Sequence, residues 1–256
     1  MNDNDSATPP ALELRGAVKA YGSKVAVRNL SLRVEQGELF AFLGPNGAGK
    51  TTTIKMLVGL LHPDRGQVSV CGHVMGTDGL AAKAQLAYVP DQPFLYDKLT
   101  GREFLHFVAE MYHLTPRDRD RTLDPLIERL DMHDFLDQLT ESYSHGMKQR
   151  VVLAAAFCHS PRVLVIDEPM VGLDPRIVRV VKDLFLERTR DRGTVFMSTH
   201  TLEVAEAVAD RIGIIHRGEL IAVGTLPELR QRATQQHSLE EIFLELTESA
   251  DGTEHV

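Results

Sequence analysis

The chain has 256 residues, 43% of them hydrophobic and 25% charged, and its 28 basic against 36 acidic side chains leave a formal charge of −8. That apolar fraction supplies a buried core and excludes a largely disordered chain. The longest uninterrupted apolar run, the eight residues Val151–Cys158, excludes a membrane-spanning helix, which needs about 20. The acidic balance argues against broad nucleic-acid binding. Cys71 and Cys158 have neither metal-ligand spacing nor a disulfide framework, so two reduced, buried thiols are expected. Met1–Pro10 is polar and reads as a frayed tail with no secretion leader, which makes a soluble cytoplasmic protein the expectation.

In chain order, strands are expected at Leu12–Val18, Leu39–Leu43, Gln67–Val70, Leu86–Val89, Val163–Ile166, Val195–Ser198 and Ile212–His216. Several are almost wholly apolar, as in sheets covered on both faces, and helical patterns alternate with them. Between Gly101 and Tyr143 the pattern is helical instead: Phe104, Leu105, Val108 and Met111 recur at helical spacing, followed by Leu126, Ile127 and Leu130. The charged run from Arg117 to Arg121 reads as a solvated turn or helix start. This predicts an α/β core, residues 11–90 and 161–225, with a mixed sheet and a helical insertion over 91–160. The tail, 226–256, carries a short amphipathic helix with Leu239, Ile242, Phe243 and Leu246 on one face, capped by Ser238 with Glu241. No internal repeat is visible.

Three short segments carry chemistry. Gly44-Pro45-Asn46-Gly47-Ala48-Gly49-Lys50-Thr51 matches G-x-x-x-x-G-K-[ST], after an apolar strand and before a helical pattern, Thr51–Leu60. Glycines let the backbone wrap phosphate oxygens, and the helix N-terminus adds positive charge at the same point. Lys50 would reach the β and γ phosphates of a nucleoside triphosphate, and the Thr51 hydroxyl would ligate Mg²⁺. Val163–Pro169 is an apolar strand ending in Asp167 and Glu168. Strand alternation points these carboxylates in opposite directions, so Asp167 is expected on the metal side and Glu168 as general base. Val195–His200 is a further apolar strand, and His200 lies at its C-terminal end, where ligands bind in open α/β sheets. There it would hydrogen-bond the γ-phosphate and hold the water in line.

These segments, in this order, resemble the nucleotide-binding subunits of ABC transporters, from about Leu12 to Gly224. Gly44 to Thr52 looks like the family's P-loop in a P-loop NTPase core, Leu164–Glu168 like its second acidic motif, Val171–Pro175 with Asp174 like the D-loop, and His200 like the switch histidine. Tyr21 lies where the family stacks an aromatic ring on adenine. Two stretches depart from the pattern. The signature, usually L-S-G-G-Q, is here Tyr143-Ser144-His145-Gly146-Met147, which keeps Ser144 and Gly146 ahead of a helix starting near Met147. The Q-loop, Tyr88–Gln92, has Asp91 where glutamine is usual, as an oxygen donor near Mg²⁺, with Gln92 one step later if the loop shifts by one.

The resemblance implies ATP and Mg²⁺ as ligands and hydrolysis as the reaction. It implies a second ATP-binding subunit closing head to tail, with Ser144 and Gly146 acting on the partner's nucleotide. It also implies a separate polytopic permease, peripheral attachment to the inner face of the cell membrane, and no nucleic-acid partner. Pro93-Phe94-Leu95-Tyr96 reads as the permease contact or as an internal packing cluster. The stretches from Tyr96 to Leu105 and from Leu239 to Thr247 look like the branch serving ABC-2-type exporters. A soluble ATPase acting on ribosomes or DNA is the alternative, and a nucleotide-gated module with weak hydrolysis a third.

Overall fold

A computed structural model describes residues 8–232 and 239–244. The chain opens with a hairpin, β1 (Leu12–Tyr21) and β2 (Lys24–Val34), then β3 (Leu39–Leu43) and helix α1 (Lys50–Leu57). There follow β4 (Arg65–Val70), β5 (His73–Val74), α2 (Gly79–Ala84) and β6 (Leu86–Val89). Three helices, α3 (Gly101–Met111), α4 (Pro116–Arg129) and α5 (His145–Phe157), precede β7 (Val163–Asp167). The chain continues through α6 (Pro175–Arg190), β8 (Thr194–Thr199), α7 (Leu202–Val208), β9 (Arg211–His216), β10 (Glu219–Gly224) and α8 (Leu226–Arg232).

Among the described residues, ten strands form two sheets. The six-stranded sheet has the order β10-β9-β3-β8-β7-β6, all parallel except the antiparallel edge strand β10. The expected Leu12 and Gln67 strands belong to a separate antiparallel sheet of order β2-β1-β4-β5. Burial on both faces explains the continuous apolar strands. Leu39, Ala41 and Leu43 of β3 enter one core, while Phe40 and Phe42 enter the other. Strands β7 and β8 split the same way, with Leu164, Ile166, Val195 and Met197 on one side and Val163, Val165 and Phe196 on the other. Phe196 stacks on Phe40 at 5.7 Å and packs against Phe42 at 5.5 Å, tying β8 to β3 beneath the phosphate loop.

The longest apolar run forms the second half of α5 and its C-cap, and Val151–Phe157 are all buried, as befits a stretch apolar on every side. No described helix is long and apolar enough to cross a membrane. Helix α3 begins at a capping box: Thr100 Oγ1 accepts from the Glu103 amide, and the Glu103 carboxylate accepts from Thr100 N at 2.8 Å. The Arg117–Arg121 run lies in the first turns of α4, with Thr115 as its cap. Residues 239–244 are helical, and Leu239 and Ile242 are buried in the same core as Leu229 of α8. Ser238 and Leu246 lie outside the described residues. Both cysteines are free and buried.

Candidate active site

The site lies at the C-terminal ends of β3, β7 and β8, and its local backbone is unusual at each. After β3 the chain turns through Gly44–Gly49 into α1. Gly47 and Gly49 have φ of 82° and 111°, and Gly49 is the N-cap of α1. A Cβ on Gly44 would sit 2.5 Å from the Ile215 carbonyl oxygen, and one on Gly49 would sit 2.6 Å from that of Ala26. The glycine requirement is therefore set by β9 and β2 pressing on the loop from outside. Gly218 N donates to Ala48 O at 2.9 Å and Ala48 N to Pro45 O at 3.2 Å, which fixes the loop further.

Lys50 is buried, and its ammonium donates to Gly44 O at 2.7 Å and Pro45 O at 3.3 Å. Burial lowers its pKa, opposed by the charges of Glu168, Asp167 and Asp91. Helix α1 therefore starts at Lys50, one residue earlier than expected, and ends at Leu57 rather than Leu60. Thr51 Oγ1 donates to Asp167 Oδ2 at 3.0 Å, and the Ser198 hydroxyl donates to Asp167 Oδ1. Asp167 is thus buried with both oxygens held, one by the phosphate-loop helix and one by β8.

Asp167 and Glu168 have different partners but line the same cleft, so they do not face opposite ways as strand alternation predicts. Strand β7 ends at Asp167, and Glu168 adopts the left-handed conformation, φ 51°, with its amide donating to Ser198 O at 3.1 Å. This turn aims its carboxylate at His200, whose Nδ1 lies 2.9 Å from Glu168 Oε1. Glu168 is largely enclosed and lines the nucleotide cleft, whereas the His200 side chain is 59% exposed and His200 is not among the lining residues.

A cleft of about 300 Å³ is lined by Tyr21, Asn46, Gly47, Gly49, Lys50, Thr51 and Thr52 together with Asp91, Asp167 and Glu168. Tyr21 is half exposed at its rim. Gln92, the alternative to Asp91, is exposed and does not line the cleft. Lys24 and Ala26 also line it. Their strand β2 lacked a sequence expectation, although Val25, Val27, Leu30, Leu32 and Val34 carry an apolar pattern broken only at Asn29. Ser198 was likewise missed, and its only signal was its place in the strand before His200.

Ser144, Gly146 and Asp174 stand outside this cleft. Ser144 is the N-cap of α5, with its Oγ accepting from Met147 N at 3.3 Å, so the helix starts at His145 and not near Met147. Asp174 caps α6, accepting from Arg176 N and Ile177 N at 2.9 and 3.0 Å, and these bonds hold its carboxyl below the ordinary range. The two segments touch each other. A Cβ on Gly146 would collide with the Gly172 carbonyl, one on Gly172 would lie 2.6 Å from His145 Cδ2, and Gln149 Nε2 donates to Pro169 O at 3.3 Å.

The donor set fits a Mg²⁺-bound triphosphate. The loop offers a backbone cradle and one lysine, but three carboxylates face the same space, so a polyanion enters favourably only with a divalent cation. Among the described residues no group of three or more His, Cys, Asp or Glu side chains forms a metal cage.

Phosphate cradle, hydroxyl-bound acid and histidine-held carboxylate, gathered at the ends of adjoining parallel strands, define a P-loop nucleoside triphosphatase. A family model described as ABC transporter matches residues 27–171. The linearmycin resistance ATP-binding protein LnrL of Bacillus subtilis (strain 168) is 38% identical over 86% of this chain and 71% of its own. A Nod factor export ATP-binding protein I of Burkholderia orbicola (strain AU 1054) is 39% identical over 83% and 70%. A solved structure of an ATP binding subunit of an ABC transporter superposes with a TM-score of 0.88 at 35% identity, covering 93% of this chain and 99% of that one. The chain belongs to the ABC transporter family, as an ATP-binding subunit with ATPase activity.

Proposed function

We propose that this subunit binds Mg²⁺·ATP, closes on a second ATP-binding subunit, and powers export through a separate polytopic permease. The observation that carries the hydrolytic reading is the 2.9 Å contact of His200 with Glu168, beside a lysine-bearing phosphate loop. On this reading Lys50 turns from the loop carbonyls to the β and γ phosphates, and Tyr21 stacks on the adenine at the rim. Thr51, Asp167 and Asp91 would hold Mg²⁺, which would neutralise charge on the phosphates. Glu168 takes the proton of a water attacking the γ-phosphorus as the bond to the β-phosphate oxygen breaks. His200 positions that water and the γ-phosphate. Ser144, Gly146 and Asp174, which lie away from this chain's own cleft, act on the partner's nucleotide.

The segment 91–160 is taken as a helical subdomain set into the core, with 226–256 as a tail. Docking of a permease is supported by Phe94, Tyr96 and Phe107, which are exposed and pack edge to face at 5.7 and 5.8 Å. Leu95 of the same run is buried and anchors it. Export is supported by the similarity to relatives named for drug resistance and Nod factor export. The location implied is the inner face of the cell membrane, held by the permease. The test is to capture the chain from detergent-solubilised membranes and assay ATPase activity on the captured complex. A polytopic partner that raises turnover is expected; soluble partners or ribosomes alone, with turnover indifferent to membranes, would overturn the reading.

A further inference from the structure

At the other end of the strands of the six-stranded sheet, where β7 and β8 begin, lies a second cavity of about 320 Å³. Arg162, Arg188 and Arg192 line it, with Cys71 in its wall and Asp191 as its single carboxylate. Arg188 is built into place: its Nε donates to Pro161 O at 3.1 Å and its Nη2 to Ser160 O at 3.2 Å. Gly193 makes room for it, because a Cβ there would collide with the guanidinium. Among the described residues, Arg162 and Arg192 have no ion pair or side-chain hydrogen bond, in a chain with an excess of acidic groups. Arg162 lies close enough to act on the Cys71 thiol, whose pKa burial raises and this charge lowers.

Basic residues at the C-terminal end of α6 have an ordinary explanation in the helix dipole. Arg162 does not, because it enters from the segment before β7. Three guanidinia against one carboxylate leave two positive charges lining one cavity, into which Arg162 and Arg192 reach from the exposed surface. That is the charge of a phosphate dianion, and the planar fork of arginine matches its oxygens. The volume is at the lower limit of small-ligand pockets. The five residues of β3 put about 15–20 Å between these strand starts and the phosphate loop, so the two sites do not overlap.

We propose that this arginine-lined cavity binds a small phosphate dianion, free or as a monoester, independently of the nucleotide site. The test is calorimetric titration of the full chain, its nucleotide site saturated with Mg²⁺ and a non-hydrolysable ATP analogue, at low salt. Inorganic phosphate and glycerol 3-phosphate are the two probes. Saturable binding of either is expected, weakened roughly tenfold or more in R162A/R192A. Melting temperature and basal ATPase activity are expected to stay unchanged in that variant, while R162K/R192K retains an intermediate affinity. The tighter probe identifies the free or the esterified anion. Equal affinity in the wild type and R162A/R192A, or no saturable binding of either probe, would overturn the proposal.

Discussion

Glu168→Gln separates chemistry from binding and from folding. The substitution keeps side-chain length, and the Gln amide oxygen can still accept from His200 Nδ1, so the local geometry survives. The charge lost from the pair is worth under about 1 kcal/mol, because the His200 side chain is 59% exposed. In a chain of this size that moves the melting temperature by no more than about 4 °C. Turnover is another matter. A positioned general base contributes roughly 100- to 10,000-fold, or about 3–5 kcal/mol of barrier. Affinity for ATP should hold or rise, since Glu168 is one of three carboxylates acting on Lys50 and opposing a polyanion. Phosphate release under saturating ATP, read beside a fluorescent-nucleotide binding curve, measures both. Turnover within about threefold of wild type, with normal binding, would refute Glu168 as the base.

Gly49→Ala puts a Cβ 2.6 Å from the Ala26 carbonyl at a φ of 111°. It should cost about 1–3 kcal/mol and abolish nucleotide binding; thermal melts and a binding curve matching wild type would contradict this. The His159 ring stacks on Tyr112 at 3.6 Å, and burial pushes its pKa down to about 4. Because the unfolded chain takes up that proton more readily, stability present above about pH 6.5 should fall as pH drops towards 4. The loss is on the order of 2 kcal/mol after allowing for partial exposure, and denaturant melts across that range should be flatter in His159→Gln. Phe94→Ala with Tyr96→Ala should change stability by less than about 0.5 kcal/mol and remove the chain from the membrane fraction. Retention there would place the permease contact elsewhere.

The phosphate loop, the acidic strand end and His200 were legible because each is contiguous and each follows a doubly buried strand. Strand β2 was not, because its pairing with β1 shifts register at Leu14/Ala17 and Ala17/Lys19, and Asn29 takes a positive φ of 45°. Those irregularities interrupt the two-residue period on which strand recognition depends. Strand β10, an antiparallel edge strand with one charged and several half-buried residues, was missed for a related reason. That Asp167 and Glu168 share one cleft was not anticipated, since a left-handed residue after a strand leaves no mark in side-chain patterning. The arginine cavity was illegible altogether. Its residues come from the turn after β4, the approach to β7 and the end of α6, and only the fold assembles them.

The strand register of the central sheet has a consequence for how chains of this kind can vary in length. Asp167 pairs with Ser198, and Leu43 pairs with Thr199, so three functional segments leave the sheet at one level. One residue inserted in β7 or β8 would displace Glu168 from His200 by about 3.3 Å and exchange the faces of every residue beyond it. A residue inserted between Arg190 and Gly193, before β8 begins, would lengthen a surface turn and leave the pairing alone. Insertions and deletions among relatives should therefore collect at the end of the sheet where the strands start, and stay out of the strands themselves.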